Sequence, residues 1–166
     1  MIRYFNRLDA RIMVDKVWKQ DLRSYFQNVR IIEKCKADTL ESFDQFCEFI
    51  AEPAFEALGD ELKEHDIRSG YVRRKGRAVH FLVRFPGLKA DNFHYVIVLP
   101  KNSIELKLKL ILKGRKNKRA PLEEKEEEFM PSLEPAGIMK LSKEALIRDI
   151  IAHYRDFNYE ALTSSV

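Results

Sequence analysis

The chain has 166 residues, 45% of them apolar and 11% aromatic, with 30 Lys and Arg against 26 Asp and Glu. Eleven Phe and six Tyr are ample for one core, so a globally disordered chain is excluded, and two full domains do not fit the length. The formal charge of +4 is a mild excess, which permits an anionic partner without arguing for one.

Two cysteines, Cys35 and Cys47, are too few for a disulfide framework and form no C-x-x-C pair. Both are expected as reduced thiols. Arg3, Arg7, Asp9 and Arg11 interrupt any apolar stretch of the kind a secretory leader needs. No apolar run approaches the ~20 residues of a membrane span. The expected location is cytoplasmic, with no membrane partner.

Residues 6–34 read as a helix. Leu8, Ile12, Val14, Val17, Trp18, Leu22, Tyr25, Phe26, Val29 and Ile32 recur at mixed three- and four-residue steps, without Gly or Pro. So broad a stripe must cover something, either its own domain or a second copy of the chain. Asp38 or Thr39 is the expected start of a second helix, with Glu41 at capping-box spacing. Its buried face is Leu40, Phe43, Phe46, Cys47, Ile50, Ala54, Phe55, Leu58 and Leu62. Pro53 lies inside that pattern and predicts a kink or a fresh helix.

Four strands follow, over 67–73, 78–85, 93–99 and 104–113, separated by Gly- and Pro-bearing turns. The acidic segment LEEKEEEF after the basic loop RKNKRAP reads as a short helix. A last helix begins at the N-cap Ser142, runs to Phe157 and frays past Tyr159. The fold class is therefore α+β, a four-stranded antiparallel meander with helices 39–64 and 142–157 on one face. Residues 1–36 form a helical extension, 37–160 a single domain and 161–166 a flexible tail.

Turn positions suggest a register. Tyr71 opposite Phe81, Phe81 opposite Ile97, and Ile97 opposite Leu106 match apolar to apolar throughout. The core face is then Val79, Phe81, Val83, Tyr95, Ile97, Leu106, Leu108 and Leu110. The same register sets Arg68, Arg84, His94 and Lys109 in one row on the other face, with Lys107 beside them. Like charges directly opposite each other are destabilising. The row calls either for Glu123, Glu124, Glu126, Glu127 and Glu128 to fold back, or for an external anion.

No catalytic constellation emerges: there is no G-x-S-x-G, no phosphate-binding glycine loop and no Cys–His pair on convergent elements. His80 and His94 fall roughly 14 Å apart in this register, too far for one metal. Glu144, Asp149 and Asp156 are expected to face solvent. No cofactor or metal is expected.

The reading is a non-catalytic binding or regulatory module for an acidic protein partner or a second subunit. Its binding residues are Arg68, Arg84, His94, Lys107, Lys109, Arg115, Lys116, Lys118 and Arg119. Its oligomer contact is Ile12, Val17, Trp18, Leu22, Tyr25 and Phe26. The alternative is sequence-indifferent nucleic-acid binding through the same basic residues. The second alternative is an enzyme of unidentified class, for which no residue stands out.

Overall fold

Helical geometry runs without interruption from Ile2 to Glu64 in the computed structural model, which describes residues 2–84 and 92–163, with 2–15 as backbone only. The run has three parts: α1 (Ile2–Phe46), a π-helical turn (Cys47–Ala51) and α2 (Glu52–Glu64). The expected new start at Asp38 or Thr39 does not occur. No Gly or Pro intervenes, and Thr39 Oγ1 donates to the Cys35 carbonyl one turn back, at 2.7 Å. Its hydroxyl is thereby used inside a helix rather than as a cap. The expected discontinuity at Pro53 is present. Proline has no N–H and its ring crowds the carbonyl four residues earlier. The chain widens by one residue just before it, and the Glu52 N–H closes on the Cys47 carbonyl.

The sheet has five strands rather than four, all antiparallel, in the order β1 (Arg68–Arg74), β2 (Ala78–Arg84), β3 (Phe93–Val98), β4 (Lys109–Gly114), β5 (Glu123–Glu128). The fifth is the acidic segment, expected as a helix. Tyr71 faces Phe81 as the sequence predicts. The next two ladders slip. Phe81 faces Tyr95 rather than Ile97, and Ile97 faces Leu110 rather than Leu106. The second slip follows from where β4 begins. Residues 104–108 are irregular, with the Lys107 N–H on the Glu105 carbonyl at 2.9 Å. Both slips are even, so every side chain keeps its face.

All eight residues assigned to the core face are buried. Phe93 of β3 joins them, and Phe43, Phe46, Phe55, Phe129, Ile138, Leu146 and Ile150 close the core from the helices and connections. Leu40, expected inside, is exposed at the rim, beside Gly76 of the β1–β2 turn, and Ile104 is exposed ahead of the strand. A 3₁₀ helix (Pro135–Lys140) leads to α3 (Lys143–Thr163). Ser142 caps α3 as expected, its Oγ accepting from the Ala145 N–H at 3.1 Å. The helix continues past Tyr159, where fraying was expected, and Thr163 Oγ1 donates to the Tyr159 carbonyl at 2.7 Å.

Candidate interaction surfaces

Among the described side chains of α1, only those of its last turns enter the core. Phe43 and Phe46 are fully buried and Thr39 nearly so, whereas from Lys16 to Lys34 every side chain except the half-buried Val29 is exposed. Trp18 is 50% exposed, Tyr25 60%, Phe26 51% and Ile31 59%. Val17 and Leu22 are exposed with them; the Ile12 side chain lies outside the described residues. Local contacts do little to shelter these rings. Lys19 Nζ lies 5.5 Å from the Trp18 ring centre, and Tyr25 meets Phe26 edge-on at 5.5 Å. The helix covers neither the core face nor the outer face of the sheet along this stretch.

The basic row is broken by the register. Arg68 does face Arg84 across β1 and β2. His94, however, faces Leu82 and Lys113, and Lys109 faces Val98 and Glu128. Lys107 is exposed in the irregular stretch before β4. The acidic strand supplies much of the compensation. Lys109 Nζ is 2.9 Å from Glu126, and Lys116 Nζ is 3.4 Å from Glu123 and 3.5 Å from Glu160. The hydrogen bond and charge of Glu123 raise the Lys116 pKa. Arg115, Lys118 and Arg119 are exposed at the β4–β5 connection. Since the Lys109–Glu126 pair is more than half exposed on both sides, Lys109→Met should change stability by less than about 1 kcal/mol in a urea titration.

His80 and His94 are diagonal neighbours on adjacent strands, roughly 7 Å apart rather than 14, because the ladder slipped. Burial lowers the His80 pKa, and the positive charges of Arg74, Lys113 and His94 lower it further. The outer face is thus electropositive around β2 and β3. Among the described residues no three His, Cys, Asp or Glu come together as a metal site.

One polar cluster escaped the sequence reading. Tyr95, fully buried on β3, donates to Asp149 Oδ2 of α3 at 2.5 Å. His153, one turn along α3, has Nδ1 2.9 Å from the Asp149 carbonyl and Nε2 2.7 Å from Glu127 Oε1 of β5. Both ring nitrogens face acceptors, so both carry protons. The hydrogen bond to Asp149 raises the His153 pKa to about 9, against the opposing effect of burial. Burial alone would raise the Asp149 pKa, but hydrogen bonds from His153 and Tyr95 outweigh it and the net shift is downward. Asp149 therefore faces inward, not toward solvent. The i, i+4 spacing of Asp149 and His153 was visible in the sequence; their partners on β3 and β5 were not. A cleft of about 320 Å³ opens beside His153, lined by Phe93, Lys113, Glu123, Asp156 and Phe157 among others. Tyr95 has no exposed surface to offer a substrate, and the cluster joins α3 to the sheet.

The chain matches no family model, no curated protein and no solved structure. No helix among the described residues is long and apolar enough to cross a membrane.

Proposed function

We propose that this protein is a non-catalytic interaction module: an α+β domain that presents α1 to a protein partner. The observation that carries the reading is the run of exposed aromatic and aliphatic side chains from Trp18 to Ile32 on a helix standing clear of its own domain. Contiguous exposed apolar surface of this kind marks an interface, and Trp and Tyr are the residues that anchor one. Arg115, Lys118 and Arg119 form a second, polar contact for an acidic segment of the partner. Nucleic acid is the weaker reading. Among the described residues the outer sheet face carries no Phe, Tyr or Trp on which bases would stack, and acidic β5 lies beside its lysines.

A photo-crosslinking amino acid at Tyr25, used in the cells that express the chain, tests the module. A discrete protein adduct is expected. The same amino acid at the exposed Lys101 should give none, and Leu22→Asp should cut the Tyr25 adduct at least tenfold, since a buried carboxylate costs more than the ~1.4 kcal/mol of one decade. No adduct from position 25 would sink the reading.

A further inference from the structure

The slip that breaks the expected basic row builds another on the outer face. Arg74 of β1 is the diagonal neighbour of His80 on β2, His80 is that of His94 on β3, and His94 lies directly opposite Lys113 of β4. These basic side chains cross the sheet in one oblique line, roughly 20 Å from end to end. Arg74 is exposed and the other three are half-buried. Strands β1 to β4 contain no Asp or Glu. Glu124 faces Lys113 from β5, yet neither Arg74 nor Lys113 forms an ion pair among the described residues. Their charges act on His80 instead: after burial, it is Arg74, Lys113 and His94 that lower its pKa.

We propose that this line is a docking site for an extended acidic segment of a partner protein, with a carboxylate at every second residue. It adds a second contact surface to the interaction module, apart from α1 and from the β4–β5 connection. On one face of an extended chain the side chains recur at roughly 7 Å, which is also the diagonal step of the line. Carboxylates bound there lie among basic groups that otherwise repel one another, so the ligand relieves a repulsion as well as forming ion pairs.

The surroundings choose a short peptide over a long polyanion. The line runs out at β5, where Glu124, Glu126 and Glu128 share its face and repel an anion that continues past Lys113. It therefore accommodates a short run of charges and not a continuous phosphate backbone. Leu82, Val96 and Ile111 flank the line, and Val72 is exposed at its β1 end. These aliphatic groups suit the methylene stems of acidic side chains, whereas nucleic-acid bases find no ring to stack on.

The test is a titration of the purified full chain at about 0.15 M salt, followed by NMR at the histidine rings. The probe is a synthetic peptide alternating Glu and Ser over about eight residues, long enough to span the line. The His80 and His94 rings should shift. The His80 titration midpoint should rise on saturation, because bound carboxylates favour the charged imidazole. Arg74→Gln combined with Lys113→Gln should weaken binding roughly fivefold, the loss of two partly exposed ion pairs. That variant removes a repulsion, so it should melt no lower than the native protein. Lys16→Gln combined with Lys19→Gln takes the same charge from α1 and should leave the affinity within about twofold, which separates the site from bulk charge. Rings that do not move, or equal weakening by the two pairs of substitutions, overturn the inference. So does a single-stranded oligonucleotide that shifts the same rings more than the peptide at equal charge, which makes the line a phosphate site. So does self-association of the chain that Arg74→Gln and Lys113→Gln abolish, which makes the occupant a second copy. The line is separate from α1, so an adduct from Tyr25 keeps the module reading whether or not the peptide binds.

Discussion

Gly114→Ala should lower the melting temperature by roughly 5–10 °C, although the substitution adds one methyl group in a strand. Gly114 ends β4, paired with Phe93 on one side and Glu123 on the other, and it is buried. A Cβ there would overlap the Asn92 carbonyl oxygen and the Phe157 ring. The ring could turn aside, at the expense of its packing on Phe93, whose centre is 5.5 Å away. The carbonyl cannot follow so easily, because it accepts the Arg115 N–H at 3.1 Å and is tied into the end of the ladder. Both adjustments together are worth about 3 kcal/mol, at the upper end for overpacking by one carbon. Gly70→Ala is the control: a Cβ there meets nothing within 4 Å, and the variant should melt within about 2 °C of the native protein. Equal melting of the two variants would show that α3 does not close over the end of β4.

The fold class was legible because it depends on period, not on register. Val79, Phe81 and Val83 alternate with His80 and Leu82, and an even slip of the ladder leaves that alternation on the same faces. The register was legible for β1 and β2, where Tyr71 faces Phe81, but not beyond them. Apolar side chains alternate from Ile104 to Leu112, so pairing apolar with apolar fits equally well at every even offset. The stretch Glu123–Glu128 was misread for a different reason. It has no β-branched or aromatic residue, and its place on the sheet comes from distant groups. Lys109 and Lys116 draw in Glu126 and Glu123, His153 holds Glu127, and Phe129 anchors the end in the core with its N–H on the Leu108 carbonyl. The basic residues were found by composition, but the row depended on the register and failed with it. The helical stripe was found by spacing alone, since α1 needs no partner to fix its period.

The cluster that joins Tyr95, Asp149, His153 and Glu127 should give stability a definite pH dependence. The folded His153 pKa of about 9 stands above the ordinary value of 6.5. Folding therefore holds the proton more tightly than the unfolded chain does. That stabilisation is complete below pH 6.5 and is lost as pH rises through 9. Asp149 is shifted the other way, so its contribution is present above the ordinary 3.8 and is lost as pH falls through its depressed folded value. Both are whole between pH 3.8 and 6.5. Urea midpoints should decline between pH 6.5 and 9 by the equivalent of about 2 kcal/mol, and His153→Gln should flatten that decline. Asp149→Ala should be the more damaging change, at about 3 kcal/mol, because it strands the Tyr95 hydroxyl in the core as well as removing the partner of His153. Tyr95→Phe in that background removes the stranded hydroxyl, so the double variant should be more stable than the sum of the two single losses predicts. Additive losses, or a His153→Gln protein that still weakens between pH 6.5 and 9, would mean that the cluster does not hold α3 and β5 to the sheet.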